Sequence, residues 1–189
     1  DWLGDDWAYF PSEPDPAKWV EEFPRSGSGN QVTITITDEE RKLSVNDLVE
    51  SGVEDDEMRE VFVRLLSPLD PNPTDRVNSI VDYLDLNTEQ EGAPPPPPSE
   101  VQSAKNGPIV ALEELYGIRD LDSVSGIDLA TPRDPYDALL KYASATSSGQ
   151  VNIYTASEAV LEALTNAADP AKYSGVDDEI IIFRANNCF

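Results

Sequence analysis

Residues 151–164 read VNIYTASEAVLEAL. The stretch joins a strand-like run, a Thr-Ala-Ser corner and an amphipathic helix. Thr155 and Glu158 stand in capping-box register: the threonine side chain accepts from an amide of the first turn, and the glutamate reaches back to the Thr155 amide. Val160, Leu161 and Leu164 then share one helix face. The local pattern predicts a helix start packed on a core. It carries no catalytic group, so the purpose of the corner has to come from the rest of the chain.

The chain has 189 residues, enough for one domain or one domain with an insertion, and 39% of them are hydrophobic, enough for a real core. It carries 37 Asp and Glu against 13 Lys and Arg, a formal net charge of −24, and no histidine. A field that negative repels nucleic acid and anionic membrane surfaces; it suits calcium, a basic partner or solubility. Without histidine, Ser-His-Asp and Cys-His catalysis are excluded, as is zinc held by imidazole. Cys188 is the single cysteine, so no disulfide forms within the chain. No apolar run approaches the ~20 residues of a membrane span. The abrupt start, DWLGDDW, reads as a mature or truncated piece, with an upstream anchor still open.

Residues 1–30, rich in tryptophan, proline and acid, read as irregular packing that ends in SGSGN. QVTITIT (31–37) alternates Val32, Ile34 and Ile36 with Thr33, Thr35 and Thr37, a strand with one face buried. LSVNDLV leads into a helix with Asn46 or Ser44 as cap. In DDEMREVFVRLL (55–66), Met58, Val61, Phe62, Leu65 and Leu66 make an amphipathic helix with acid in its first turn, where the macrodipole favours it. Thr74 caps a second helix bearing Val77, Ile80, Val81 and Leu84. Pro94 to Pro98 form a stiff polyproline stretch. PIVALEELYGI (108–118) reads as a helix opened by proline and closed by Gly117, and DPYDALLKYA (134–143) as another. GVDDEIIIFRANNCF suits a buried strand by propensity and a helix start by its acidic entry.

One loop carries ligand chemistry. Asp85, Asn87, Glu89 and Glu91 place oxygens at alternate positions before Gly92, and Asp82 joins from the preceding helix turn. Alternation lets a turning loop aim several oxygens at one point, as calcium requires; magnesium keeps more of its waters. The loop is not an EF-hand, since the twelfth position from Asp85 is Pro96. Trp2, Trp7 and Trp19 either contribute to a partner surface or pack a sheet.

Four segments in order resemble the K-type minor pseudopilins of the type II (general) secretion system. VTITITDEERKLSVNDL is similar to their "V-x-I-x-D-E-x-x-K-I-N-L-N-x-L", and VDYLDLNTEQEGA to "DWID-x-D…GAE". NGPIVALEELYGI is similar to "N-x-P-F-x-S-x-E-E-L-x-x-x-x-G", and the opening stretch to "INVNTAS-x-x-VL-x-AL". Together they cover residues 31–164. The chain departs from the pattern at Ser44, Tyr83, Pro94 and Tyr154, which bears on single contacts rather than on the fold.

The resemblance implies an α+β, mainly helical fold: a pilin-like β-sheet portion with a large inserted α-helical domain. Residues 1–43 would form the pilin-like portion without its hydrophobic N-terminal helix, 44–175 the insertion, and 176–189 a C-terminal strand or helix. In the helix case Arg184 and Phe189 match the family's "I-x-x-R…F". The resemblance further implies calcium near the Asp85–Glu91 loop and I- and J-type minor pseudopilins as partners. It implies contact with exported proteins or the outer-membrane channel, and a periplasmic location anchored in the inner membrane before assembly. Membrane contact would run only through the absent N-terminal helix, and no nucleic acid is expected. A non-enzymatic tip subunit that caps or initiates the fibre for protein export is the expected role. The alternative is another acidic extracytoplasmic binding module, such as a type IV pilus minor pilin tip subunit. A helix-hairpin-helix reading fails because no glycine-rich hairpin follows Leu164 and the −24 charge opposes phosphate contact. Carboxylate pairs of a hydrolase arise by chance among 37 acids.

Overall fold

A computed structural model describes residues 18–23, 32–86, 104–118, 135–168 and 175–187. Statements about the fold refer to these. The described residues open with two antiparallel strands, β1 (Lys18–Phe23) and β2 (Val32–Thr37), in a register that sets Trp19 opposite Ile36 and Phe23 opposite Val32. β2 forms where alternation predicted it. β1 corrects the expectation of irregular packing before residue 30. KWVEEF lacks a clean apolar alternation, and its extended form follows from the ladder it shares with β2.

Two short pairings follow. β3 (Leu43–Ser44) lies parallel to β6 (Ala143–Ser144), tying residues a hundred positions apart. β4 (Val49–Glu50) and β5 (Val53–Glu54) make a hairpin. Its turn residues Ser51 and Gly52 both have positive φ, 54° and 84°, as a two-residue turn with the twist of the flanking strands requires.

The core is helical. α1 (Asp56–Leu66) is capped by Asp55, whose Oδ1 accepts from the Glu57 and Met58 amides at 2.9 Å each. It buries Val61, Phe62, Leu65 and Leu66, the face its spacing predicted. α2 (Pro73–Leu84) buries Val77, Ile80, Val81 and Leu84. Its cap position is Asn72 with Pro73 at the first helical position, so Thr74 lies inside the first turn instead of capping it. α3 (Pro135–Tyr142) buries Tyr136, Asp137, Ala138 and Leu139. Burial, the nearby negative charge of Glu113 and the Tyr116 ring push the Tyr136 phenol above the ordinary tyrosine range. α4 (Glu158–Ala168) packs along α1, and α5 (Val176–Asn187) packs on α4. The closing segment is therefore helix rather than strand through Asn187. Its acidic first turn, Asp177 to Glu179, favours helix and its three isoleucines favour strand; packing on α4 and the bond from Arg184 to the Ala156 carbonyl tip the balance.

The expected helix over 108–118 is instead a single 3-10 segment, Leu112–Gly117. Its upstream backbone is already committed. Ile109 exchanges two hydrogen bonds with the Asn46 side chain, and the Glu114 carboxylate takes the amides of Val110 and Ala111 at 2.8 and 3.3 Å. The amides are ones a helix starting at Pro108 would leave free in its first turn, but the Ile109 carbonyl, which the ladder would need, is held by Asn46.

Candidate functional site

The corner at 151–157 is where the strand side and the helices are joined, and the junction is polar. Asp38 follows β2 directly. Its Oδ1 accepts from the Glu40 amide at 3.0 Å. Its Oδ2 accepts from Asn152 Nδ2 at 2.9 Å and from the Thr155 hydroxyl at 2.5 Å. The Asn152 amide donates to the Glu40 carbonyl at 2.7 Å, so backbone and side chain dock on the same three residues. Asn152 also organises its own turn: its Oδ1 accepts from the Tyr154 amide and its carbonyl from the amides of Thr155 and Ala156. The VNIY run is thus a turn, not a strand; Ile153 and Tyr154 are exposed.

The threonine's role differs from its sequence reading. Thr155 gives its hydroxyl to the Asp38 carboxylate, a charge-assisted bond stronger than a cap to a neutral amide. The helix starts two residues later than a Thr155 cap would place it, at Glu158. Ser157 stands before it, with its Oγ 3.4 Å from the Val160 amide and its carbonyl accepting from Leu161. Ala156, Val160, Leu161 and Ala163 enter the core, while Leu164 is half-buried.

Two further elements brace the corner. The Glu40 carboxylate accepts from the Ser148 amide at 3.1 Å and from the hydroxyls of Ser147 and Ser148. Gly149 has φ +86°, a left-handed conformation that favours glycine, and a Cβ there would push on the Asp47 carboxylate at 2.5 Å. From the other side, Arg184 of α5 donates to the carbonyls of Ala156, at 2.6 Å, and Ile153. The Tyr154 and Phe183 rings lie beside each other at 6.4 Å. Asn46 serves similarly nearby. It was read as a helix cap, yet Nδ2 donates to the carbonyls of Ile109 and Ala145 at 3.0 and 2.9 Å, clipping segments 63 and 99 residues away. Ser44 does precede a short 3-10 turn, Val45–Leu48, without a capping bond.

The candidate metal ligands divide. Asp82 lies in the last turn of α2 and Asp85 just after it, a spacing that makes them neighbours on the helix surface. Asp85 is 1% exposed. The amides of Lys105 and Asn106 both donate to the Tyr83 carbonyl, at 2.9 and 3.1 Å, so the segment that follows Ala104 returns to the same helix end. Asn87, Glu89 and Glu91 lie outside the described residues, as do Trp2 and Trp7. Among the described residues no three acidic groups come together in a way that would hold a metal. Trp19 lies in β1.

A cleft of about 270 Å³ between α1 and α4 is lined by Leu65, Pro68, Ala159 and Ala163 together with Arg64 and Glu162. Of the junction residues, sequence reading missed Asp38, Glu40 and Asn152. The available signal was Asp-x-Glu directly after the clearest strand, where acids have no place in a ladder and are free to bind elsewhere. The β4–β5 hairpin had a signal as well: Ser-Gly between two Val-Glu pairs.

No family model matches the sequence, and no curated protein matches it. Among solved structures, the fold is similar to a chain in the crystal structure of the GspK-GspI-GspJ complex from the enterotoxigenic Escherichia coli Type 2 Secretion System. The identity is 19% and the TM-score 0.58. The match covers 81% of this chain and 56% of that one, so this chain spans little more than half the length of its structural neighbour. The likeness is one of fold: mainly helical α+β with a small sheet, as the resemblance in sequence implied.

Proposed function

We propose that this chain is the soluble part of a K-type minor pseudopilin, acting by assembly and without catalysis. It would cap or initiate the type II secretion pseudopilus together with I- and J-type minor pseudopilins, in the periplasm, with an inner-membrane anchor supplied before assembly. In this reading residues 1–43 belong to the pilin-like portion, 44–175 to the inserted helical domain and 176–189 to the return. A bulky insertion would leave no room for another subunit above it, which is why the tip is the assigned place. There it would meet exported proteins or the outer-membrane channel.

The observation that carries the reading is the agreement of two independent lines. Four motifs stand in the family's order in the sequence, and the fold is similar to a chain from a complex of that secretion system. The polar junction adds support. The Thr-Ala-Ser corner and Arg184, both picked out by the resemblance, meet each other and the residue that leaves β2. Calcium would be held by Asp82, Asp85, Asn87, Glu89 and Glu91, and would supply charge compensation for the carboxylates rather than chemistry.

The test is co-expression with the soluble domains of I- and J-type subunits, followed by size exclusion with mass detection, in calcium and in chelator. A stable ternary complex is the expected result, and its loss in chelator would make the Asp85–Glu91 loop structural. A chain that stays alone with both partners in both buffers would overturn the tip reading in favour of the type IV pilus alternative or another extracytoplasmic binding module.

A further inference from the structure

The exposure along α5 has a clean helical period: Asp178, Glu179, Ile182, Phe183, Ala185 and Asn186 face outward, while Ile180, Ile181 and Arg184 are half-buried. The chemistry does not follow that period. Ile180 and Ile181 pack against the core, but Ile182 is 60% and Phe183 51% exposed. A helix apolar on both sides needs a second covering surface. Ile153 and Tyr154 of the corner add to the same place, since Arg184 bonds the Ile153 carbonyl and Tyr154 lies against Phe183. Half of the eight large hydrophobic side chains found exposed among the described residues therefore meet at one spot, from segments some thirty positions apart.

We infer that this face docks a cationic amphipathic helix of another protein. Charge selects the occupant. Asp178 and Glu179 stand one turn before Ile182 on the same face, so the apolar strip has an acidic margin. A second copy of this chain would bring another −24 charge against it. A helix with leucine-like side chains on one face and lysine or arginine along its border satisfies both features. The patch is preorganised: the bonds from Arg184 fix α5 to the corner before any partner arrives, so little ordering cost remains. The inference stands independently of the pseudopilus reading.

The test uses the full chain and a synthetic amphipathic helix with leucine on one face and lysine on the other, followed by titration calorimetry. A glutamate-for-lysine version of the peptide serves as control. The lysine peptide is expected to bind, and the Ile182→Ser, Phe183→Ser double variant to bind it about tenfold more weakly, as for a central apolar anchor. Val53→Ser, an exposed apolar position on the hairpin, should leave binding unchanged. Tyr154→Ser, from the other segment, should weaken it independently, and circular dichroism checks that each variant keeps its helices. Equal binding by the double variant, equal binding of the glutamate peptide, or no binding at all overturns the inference. So does self-association of the wild type that the double variant abolishes, which would make a second copy the occupant. The peptide is no pseudopilin, so failure here and failure of ternary assembly are separate results.

Discussion

Asp38 and Thr155, 117 residues apart in sequence, share a 2.5 Å hydrogen bond, with Asn152 on the same carboxylate oxygen. The residue leaving the second strand and the residue opening the α4 corner are thereby one structural unit. Removing the carboxylate leaves three partly buried donors, the Glu40 amide, Asn152 Nδ2 and the Thr155 hydroxyl, without their acceptor. Asp38→Ala is expected to lower stability by about 2 kcal/mol, and Asp38→Asn by less, since the amide retains one acceptor oxygen. Urea unfolding midpoints at neutral pH measure both. Equal midpoints for wild type and Asp38→Ala would mean that the junction contributes nothing to stability.

Asn46 makes three hydrogen bonds to two distant segments, donating to two carbonyls and accepting from the Ile109 amide. Asn46→Ala is expected to cost about 2–4 kcal/mol, because the backbone groups of Ile109 and Ala145 lose partners. Asn46→Asp, though isosteric, should be no milder: it keeps the acceptor but turns a carboxylate oxygen toward two carbonyl oxygens. Thermal melts of the two variants decide this, and a near-wild-type melt for Asn46→Asp would refute the assigned amide orientation.

Arg184 holds α5 by two carbonyls, a geometry that suits the planar guanidinium fork and not an ammonium. Arg184→Lys is expected to loosen α5 alone. Amide hydrogen exchange in 176–187 should speed up by about tenfold or more, while α1 and α2 keep their protection. Uniformly faster exchange across all helices would show that α5 is part of the global folding unit.

Glu114 accepts from Lys105 Nζ at 2.5 Å and from the amides of Val110 and Ala111. The lysine hydrogen bond first, then the Val110 amide, hold its carboxyl below the ordinary glutamate range, against a smaller opposing effect of burial. A depressed folded-state pKa means the stabilisation is full above the unfolded-state glutamate pKa and is lost as pH falls through the folded one. The stability difference between wild type and Lys105→Met should therefore shrink on acidification below the glutamate range. A difference that stays constant with pH would assign the contribution of Lys105 to packing of its stem.

Phe62 is fully buried at the centre of α1. Phe62→Ala is expected to cost about 3–5 kcal/mol through lost burial and the cavity left behind, read from chemical denaturation.

Legibility tracked how local the deciding interaction was. The α1 and α2 faces were readable because burial of a 3.6-residue period needs no knowledge of the partner: Val61, Phe62 and Leu65 go inward whatever they meet. β2 was readable by the same logic at period two. Caps and helix bounds failed where a polar side chain had a better partner far away. Thr155 went to Asp38, and Asn46 went to Ile109 and Ala145, taking the Ile109 carbonyl that a helix over 108–118 would need. Of the candidate metal ligands, the structure places Asp82 and Asp85 at one helix end, and the spacing of the acids is what nominated them.

By itself, the sequence determined a mainly helical chain with one clear strand, its apolar faces, its strong negative charge and the exclusion of histidine chemistry. Those follow from side-chain type and short-range period, which each segment carries with it. Only the tertiary structure decided that residues 151–157 form a turn clasped to Asp38, that KWVEEF is a strand, that the closing segment is a helix and that its outer face stays apolar. Each of these rests on hydrogen bonds or burial between residues tens to over a hundred positions apart, or, for the strand, on a cross-strand ladder. A short polar or β-branched segment is nearly balanced between alternatives, and such contacts tip it.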